Sequence, residues 1–191
     1  MSMTQPLTPP PLTEAELNKR VWQELQRATQ DRHHEWRTPV LSSIGLDGAP
    51  QARTLVLRHV DRVLWQLTFY TDSRSAKVLE LQNNDQAMVA FWSQRLGWQV
   101  RLQARVTVHT EGPAVAAAWD RVSQSPSAGD YLSSAAPGSP LGLSADRPGQ
   151  SPQHHLAVLA LQVTSVDWLE LARFGHRRAH LTPTTVEWRV P

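Results

Sequence analysis

RTLVLRHVDRVLWQLTFYTDSRSAK, residues 53–77, is the stretch on which the fold turns. Its first residues complete a strand from Gln51 to His59, in which Arg53, Leu55 and Leu57 share one face while Thr54, Val56 and Arg58 share the other. Upstream, Val40 to Leu46 reads as a strand and Asp47-Gly48 as a tight turn, which predicts a β-hairpin over 40–59. Downstream, Val63 to Thr71 predicts a third strand. Asp72 or Ser73 then caps a short helix, Ser75 to Gln82, with Ala76, Val78 and Leu79 inward. A strand end, a hydroxyl-rich turn and a helix start, with Arg74 and Lys77 beside them, have the chemistry of an anion site. Helix N-terminal amides favour negative charge, Ser75 and Lys77 add a hydroxyl and an ammonium, and Arg53 can close the site bidentately. The competing reading of the same residues is a capped helix with solvated charges.

On the N-terminal side, Thr13-Glu14-Ala15-Glu16 is a capping-box pattern. Leu17, Val21, Leu25 and Ala28 follow at helical spacing, with Trp22 on the same face, predicting a helix from Glu14 to Thr29. On the C-terminal side, Gln86 to Trp92 and Trp98 to His109 predict two strands joined by a polar turn at Arg95 to Gly97. Pro113 opens an alanine-rich helix to Val122. The Ser/Pro/Gly-rich segment 123–152, with a helical turn at Asp130 to Ser134, has a length that marks functional or mobile loops. His155 to Trp168 predicts a long strand, then Leu169 to Phe174, a basic turn, and a closing strand near Val186 to Val190. Strands in hairpin order, a few helices and no βαβ alternation predict a mostly β (α+β) chain, an antiparallel split β-barrel with peripheral helices.

With 191 residues, 40% of them hydrophobic, the chain suits one domain, 13–191, behind a polar, proline-rich leader, 1–12, expected to be disordered. The absence of cysteine excludes disulfides, thiolate metal sites and a cysteine nucleophile, and suits the cytoplasm. No signal peptide or membrane span is visible in the sequence. A net charge of +2 is too small to argue for nucleic acid, so the placement of the arginines matters more than their number. Eight tryptophans are expected chiefly in the core and at an interface. There is no G-x-G-x-x-G or Walker-type run, so a phosphate must be held in another way.

Arg53 to Arg58, then Phe69-Tyr70-Thr71 through Ser75-Ala76-Lys77, with Gln99 and Trp168 further on, resemble the pyridoxamine 5′-phosphate oxidase-like FMN-binding split-barrel family in order and spacing. The likeness covers roughly Arg37 to His180. It implies that Arg53 and Lys77 clamp the FMN phosphate and that Thr71 and Ser75 donate hydroxyl hydrogen bonds. The backbone of Thr54, Leu55 and Val56 as far as Leu57 would line the isoalloxazine. Tyr70 and Arg74 join the cofactor set, Arg74 in place of an arginine that the family carries where Ala76 stands here. Gln99 and Trp168 would contact a flavin, that of a partner subunit if FMN lies at the interface of a homodimer. Arg58, Arg178 and His180 would fix a small anionic substrate over the ring, with His180 taking a proton while hydride passes to the flavin and oxygen reoxidises it.

The likeness breaks at the substrate. Trp119 and Ser123 stand where the oxidases grip a substrate phosphate with a tyrosine and an arginine, Ser127 remains as a hydroxyl match, and Thr182 replaces a flavin-side arginine. Flavin matches thus outnumber substrate matches. An oxidase of a small, phosphorylated or unphosphorylated amine or alcohol and a non-catalytic FMN store or sensor both stay open. His33-His34 and His154-His155 are neighbours that point apart on a strand, and His176 and His180 lack a helix to bring them together, so no metal site is expected. A hydrolase has no G-x-S-x-G elbow here. The cluster Arg173 to Arg178 around Phe174 suits a solvated turn better than a nucleic-acid contact.

Overall fold

The computed structural model describes residues 12–140, 151–173 and 175–191. Most of the expected leader, the middle of the 123–152 loop and Phe174 lie outside the described residues. Leu12, counted with the leader, packs on the core. Helix α1, Glu14–Gln30, begins with the full capping box: Glu16 N–H donates to Thr13 Oγ1 and Thr13 N–H to Glu16 Oε2. Its apolar stripe, Leu17, Val21, Trp22, Leu25 and Ala28, is buried. A 3-10 turn, Glu35–Arg37, then sets Trp36 into the core.

The strands are β1 (Val40–Ile44), β2 (Pro50–Thr54), β3 (Leu57–Asp61), β4 (Gln66–Asp72), β5 (Gln86–Ser93), β6 (Trp98–His109), β7 (Leu156–Glu170), β8 (Arg177–Leu181) and β9 (Val186–Arg189). Helix α2, Ala76–Asn83, follows β4, and α3, Pro113–Val122, follows β6. All the strand pairs are antiparallel, in the order β2-β1-β5-β6-β7-β4-β3, with β8 and β9 branching from β7. β2 and β3 stand at opposite ends of this order, yet only Leu55 and Val56 separate them. Two linking residues span about 11 Å at most between the flanking Cα atoms. The sheet must therefore curl until its ends meet, and since β2 and β3 do not pair, the closed shape is split there: a split β-barrel.

The hairpin expected over 40–59 forms between β1 and β2 around the Asp47-Gly48 turn, but its returning strand is shorter than expected. The returning strand 51–59 is two strands, β2 against β1 and β3 against β4. The strand expected from Val63 starts at Gln66; Val63 and Leu64 are exposed on the turn before it. α2 buries Val78 and Leu81 rather than Ala76 and Leu79, and its N-cap is Ser75 rather than Asp72 or Ser73. The basic turn is largely strand β8, and the helical turn of the long loop lies at Pro126–Tyr131.

Alternation fills the barrel. Val89 and Phe91, Val100 and Leu102, Leu159 and Leu161, and Leu67 and Phe69 all point inward and are buried. Five of the eight tryptophans, Trp22, Trp36, Trp65, Trp98 and Trp168, are buried there, as composition led one to expect. A second apolar cluster lies on the other face of β4 and β7, where Val115, Ala118 and Val122 of α3 meet Tyr131, Leu156 and Val158, with Tyr70 and Trp119 at its edge. Among the described residues, no helix is long and apolar enough to cross a membrane.

Candidate functional site

The cation pair read from the sequence is brought together where the barrel is split. Arg53 lies opposite Leu41 on β1, so its side chain leaves β2 on the inward face, toward α2. There its Nη1 donates to the hydroxyl of Ser43, and its Nη2 donates to Glu80 Oε2 of α2 at 2.7 Å. Ser43 itself donates to the same Glu80 oxygen. Lys77, one helical turn before Glu80, donates from Nζ to Thr71 Oγ1 at 3.1 Å. Burial, and then the positive charge of Arg53, push the Lys77 ammonium below its ordinary value, while Glu80 and Asp72 pull it back up. The positive charge of Arg53 is thus felt at Lys77.

Arg53 has five N–H donors, and its Ser43 and Glu80 contacts use two of them. Ser75 sits at the N-cap of α2 without bonding the helix's first amides; its hydroxyl donates instead to the Asp72 carbonyl at 2.7 Å and lies 3.3 Å from Thr71 Oγ1. Free amides, two cations and two hydroxyls suit a phosphate ester. Glu80 and Ser43 were not read from the sequence as part of this site. Glu80 had a signal, since it follows Lys77 by three residues on one helix.

Beside this cluster, Thr54, Leu55 and Val56 form one wall of a cleft of about 200 Å³, with Arg58, Tyr70 and Tyr131 forming the other. Leu55 N–H donates to the Pro39 carbonyl, which fixes the crossing between β2 and β3. Tyr70 and Thr71 are neighbours at the end of β4, so one side chain serves the cleft and the other the cation cluster. The Arg58 guanidinium lies over the Tyr70 ring, 5.5 Å from its centroid, and its Nε is buried with no hydrogen-bond partner. Burial raises the Tyr131 phenol above its ordinary value, and the adjoining Arg58 only partly offsets this. Tyr131 went unnoticed in the sequence, because it arrives from a loop with no spacing signal.

The remaining expected residues are elsewhere. Arg74 turns away from Arg53 and Lys77: it pairs with Asp72 at 2.7 Å and donates to the carbonyls of Ser133, Ser134 and Ala135, pinning the long loop. Trp168 is fully buried, packed at 5.3 Å on Trp98 and 6.2 Å on Trp188, and presents no surface to a ligand. Gln99 lies on the opposite face of the sheet from Trp168, between Trp92 and Leu169. Arg178 and His180 extend that outer face on β8. There Asp167 accepts from both Arg178 and Arg101; burial would raise its pKa, but these two arginines outweigh burial and hold it below the carboxylate range. The structure therefore groups Arg53, Thr71, Ser75 and Lys77, adjoins to them Thr54, Leu55, Val56, Arg58 and Tyr70, and leaves Gln99, Arg178 and His180 as a separate outer-face group. No group of three or more metal-ligating side chains occurs among the described residues.

A family described as pyridoxamine 5′-phosphate oxidase, FMN-binding domain, matches residues 19–110. A pyridoxine/pyridoxamine 5′-phosphate oxidase of Caulobacter vibrioides is 32% identical over 108 residues, 56% of this chain and 48% of its own. That of Thermosynechococcus vestitus is 39% identical over 66 residues, 35% of this chain and 30% of its own. The chain thus spans half or less of the curated relatives it matches. Among solved structures, a pyridoxamine 5′-phosphate oxidase-related, FMN binding protein from Nostoc punctiforme aligns with a TM-score of 0.73 at 22% identity, covering 95% of this chain and 100% of that one. PhzG from Burkholderia lata, in complex with tetrahydrophenazine-1-carboxylic acid, aligns with a TM-score of 0.69 at 18% identity, covering 96% and 95%. These two likenesses speak for the split-barrel fold. Residues 19–110, which carry Arg53, Lys77 and most of the cleft, are thus similar to the pyridoxamine 5′-phosphate oxidase FMN-binding domain family.

Proposed function

We propose that the protein binds FMN and acts as an FMN-dependent oxidoreductase on a small molecule. The observation that carries this reading is that Lys77 and Ser75 meet at Thr71 beside the uncapped start of α2, while Arg53 reaches the same helix at Glu80. Arg53, Lys77, Thr71, Ser75 and the first amides of α2 hold the phosphate, and the crossing at Thr54, Leu55 and Val56 presents backbone and apolar side chains to the ring. FMN, when bound, supplies the two-electron chemistry. The chain's part is to position, to neutralise the phosphate and to exclude water. Arg58 fixes the anionic end of a substrate. Gln99, Arg178 and His180 face outward on a different part of the barrel, which fits a homodimer in which they complete the partner's site, with His180 taking the proton as substrate is oxidised.

A second reading, storage or sensing of FMN without turnover, has one observation in its favour: Asp167 already engages Arg178, so that guanidinium is partly neutralised before any substrate arrives. One experiment separates the two. Protein loaded with FMN is given pyridoxamine 5′-phosphate and a panel of amines and alcohols under air, and peroxide is measured. Peroxide dependent on substrate and on bound flavin supports the oxidoreductase; a flavin spectrum that no substrate bleaches anaerobically supports the store. A protein that takes up no FMN at all contradicts both.

A further inference from the structure

We propose that Arg74 is a positioning residue for the flavin ring: it holds in place the part of the cleft wall that Asp130 and Tyr131 supply, and it takes no part in gripping the phosphate. This rests on the flavin reading, since the cleft is the one given to the isoalloxazine.

Arg74 is anchored first to the barrel. Asp72 accepts from its backbone N–H at 2.8 Å, from Nε at 3.0 Å and from Nη2 at 2.7 Å, so both carboxylate oxygens engage one edge of the guanidinium. Asp72 ends β4 and its side chain is only 5% exposed, so the fork is fixed to the wall and its charge is balanced there. A guanidinium neutralised in this way offers little to a phosphate. The rest of the fork reaches backbone: Nη1 donates to the Ser134 carbonyl at 3.3 Å, and Nη2 to those of Ser133 and Ala135 at 2.9 and 3.2 Å.

Those carbonyls begin two residues beyond Tyr131, which with Asp130 lines the cleft shared by Thr54, Leu55 and Val56. The 3-10 turn Pro126–Tyr131 brings both residues there, and such a turn is a weak anchor by itself. The Tyr131 ring belongs to the apolar cluster that α3 makes on β4 and β7, and its carbonyl accepts from His155 N–H, whose own carbonyl accepts from Ser73 N–H. Packing therefore keeps the ring in the fold, while Arg74 fixes the backbone that follows it. A residue that gripped the phosphate would discriminate FMN from riboflavin. One that sets the ring's wall acts on both alike.

The test titrates FMN and riboflavin, followed by flavin fluorescence, into the unmodified protein, Arg74→Met and Arg74→Lys. Methionine keeps an unbranched apolar stem without the charge, and lysine keeps the charge without the planar fork. Both variants should bind each flavin about three- to tenfold more weakly, with the ratio of FMN to riboflavin affinity within about twofold of that in the unmodified protein. In a Tyr131→Leu background, where the aromatic wall is already gone, Arg74→Met should weaken either flavin by less than about twofold further. With no flavin present, amide hydrogen exchange over 129–135 and 151–156 should be about tenfold faster or more in both Arg74 variants. A loss confined to FMN would make Arg74 a phosphate ligand and overturn the proposal. Unchanged affinity for both flavins, an Arg74→Lys protein that behaves as the unmodified one, full additivity with Tyr131→Leu, or unchanged exchange overturns it as well. An unmodified protein that takes up neither flavin contradicts the flavin reading instead, and exchange then shows by itself whether Arg74 holds the wall.

Discussion

Glu80 accepts a 2.7 Å hydrogen bond from Arg53, so a helix carboxylate sits against the strand cation that is proposed to hold a phosphate. The pair positions the guanidinium but also places negative charge beside the anion site. Lys77, on the same helix, is drawn toward the same centre through Thr71.

Glu80→Gln separates those two effects. Glutamine keeps an acceptor for Ser43 and Arg53 and removes the charge. The free protein should lose about 1–2 kcal/mol, less than for a fully buried pair, because 20% of the Arg53 side chain remains in solvent. FMN then supplies the missing counter-charge, so the rise in Tm on adding FMN should be larger in Glu80→Gln than in the unmodified protein. A smaller rise would show that Glu80 serves binding only by holding Arg53 in place.

Lys77 gives the site a pH signature. Its pKa is depressed from 10.5 by burial and by Arg53, and a bound phosphate stabilises the ammonium and raises that value again. Affinity from this group is therefore full below the free protein's Lys77 pKa and declines as pH rises through it. FMN titrations from neutrality to pH 10.5 should show the decline beginning below the ordinary lysine value, with proton uptake on binding in that window. Lys77→Arg, whose charge persists throughout, should flatten the profile.

Asp167 governs acid stability at the other end of β7. Its folded pKa lies below the ordinary 3.8, so its stabilising contribution is present above 3.8 and is lost as pH falls through the depressed value. Asp167→Asn should lower Tm at neutral pH, leaving Arg101 and Arg178 without their shared carboxylate, and the gap from the unmodified protein should close in strong acid. Thermal melts along a descending pH series would read it; a gap that stays constant would assign the loss to packing.

Much of the fold was legible because alternation and punctuation agree. β5 and β6 fall within a residue of their expected limits, since both alternate cleanly and a polar turn separates them. The break at Leu55 and Val56 was hidden because apolar character continues through it; only pairing with two different neighbours divides β2 from β3. β8 looked like a turn because Arg177, Arg178 and His180 obscure the inward Ala179 and Leu181. In α2, two apolar stripes compete, and the Arg53–Glu80 pair helps select the one that buries Val78, Leu81 and Glu80. At the site, Arg53 and Lys77 were legible from charge beside a helix start. Arg74 was not, since its partners Ser133 and Ser134 are some sixty residues away. The burial of Trp168 follows from its inward register opposite Val100 and Ala179.

The most direct test is an FMN titration, followed by visible absorbance and flavin fluorescence, of the unmodified protein, Arg53→Ala and Lys77→Ala. Each charge-assisted contact contributes about 1.5–3 kcal/mol, so each variant should bind FMN roughly ten- to hundredfold more weakly while remaining folded. Riboflavin, which lacks the phosphate, should bind all three alike. Equal FMN affinity in all three proteins would contradict the phosphate site, and with it the account of this barrel as a flavin carrier.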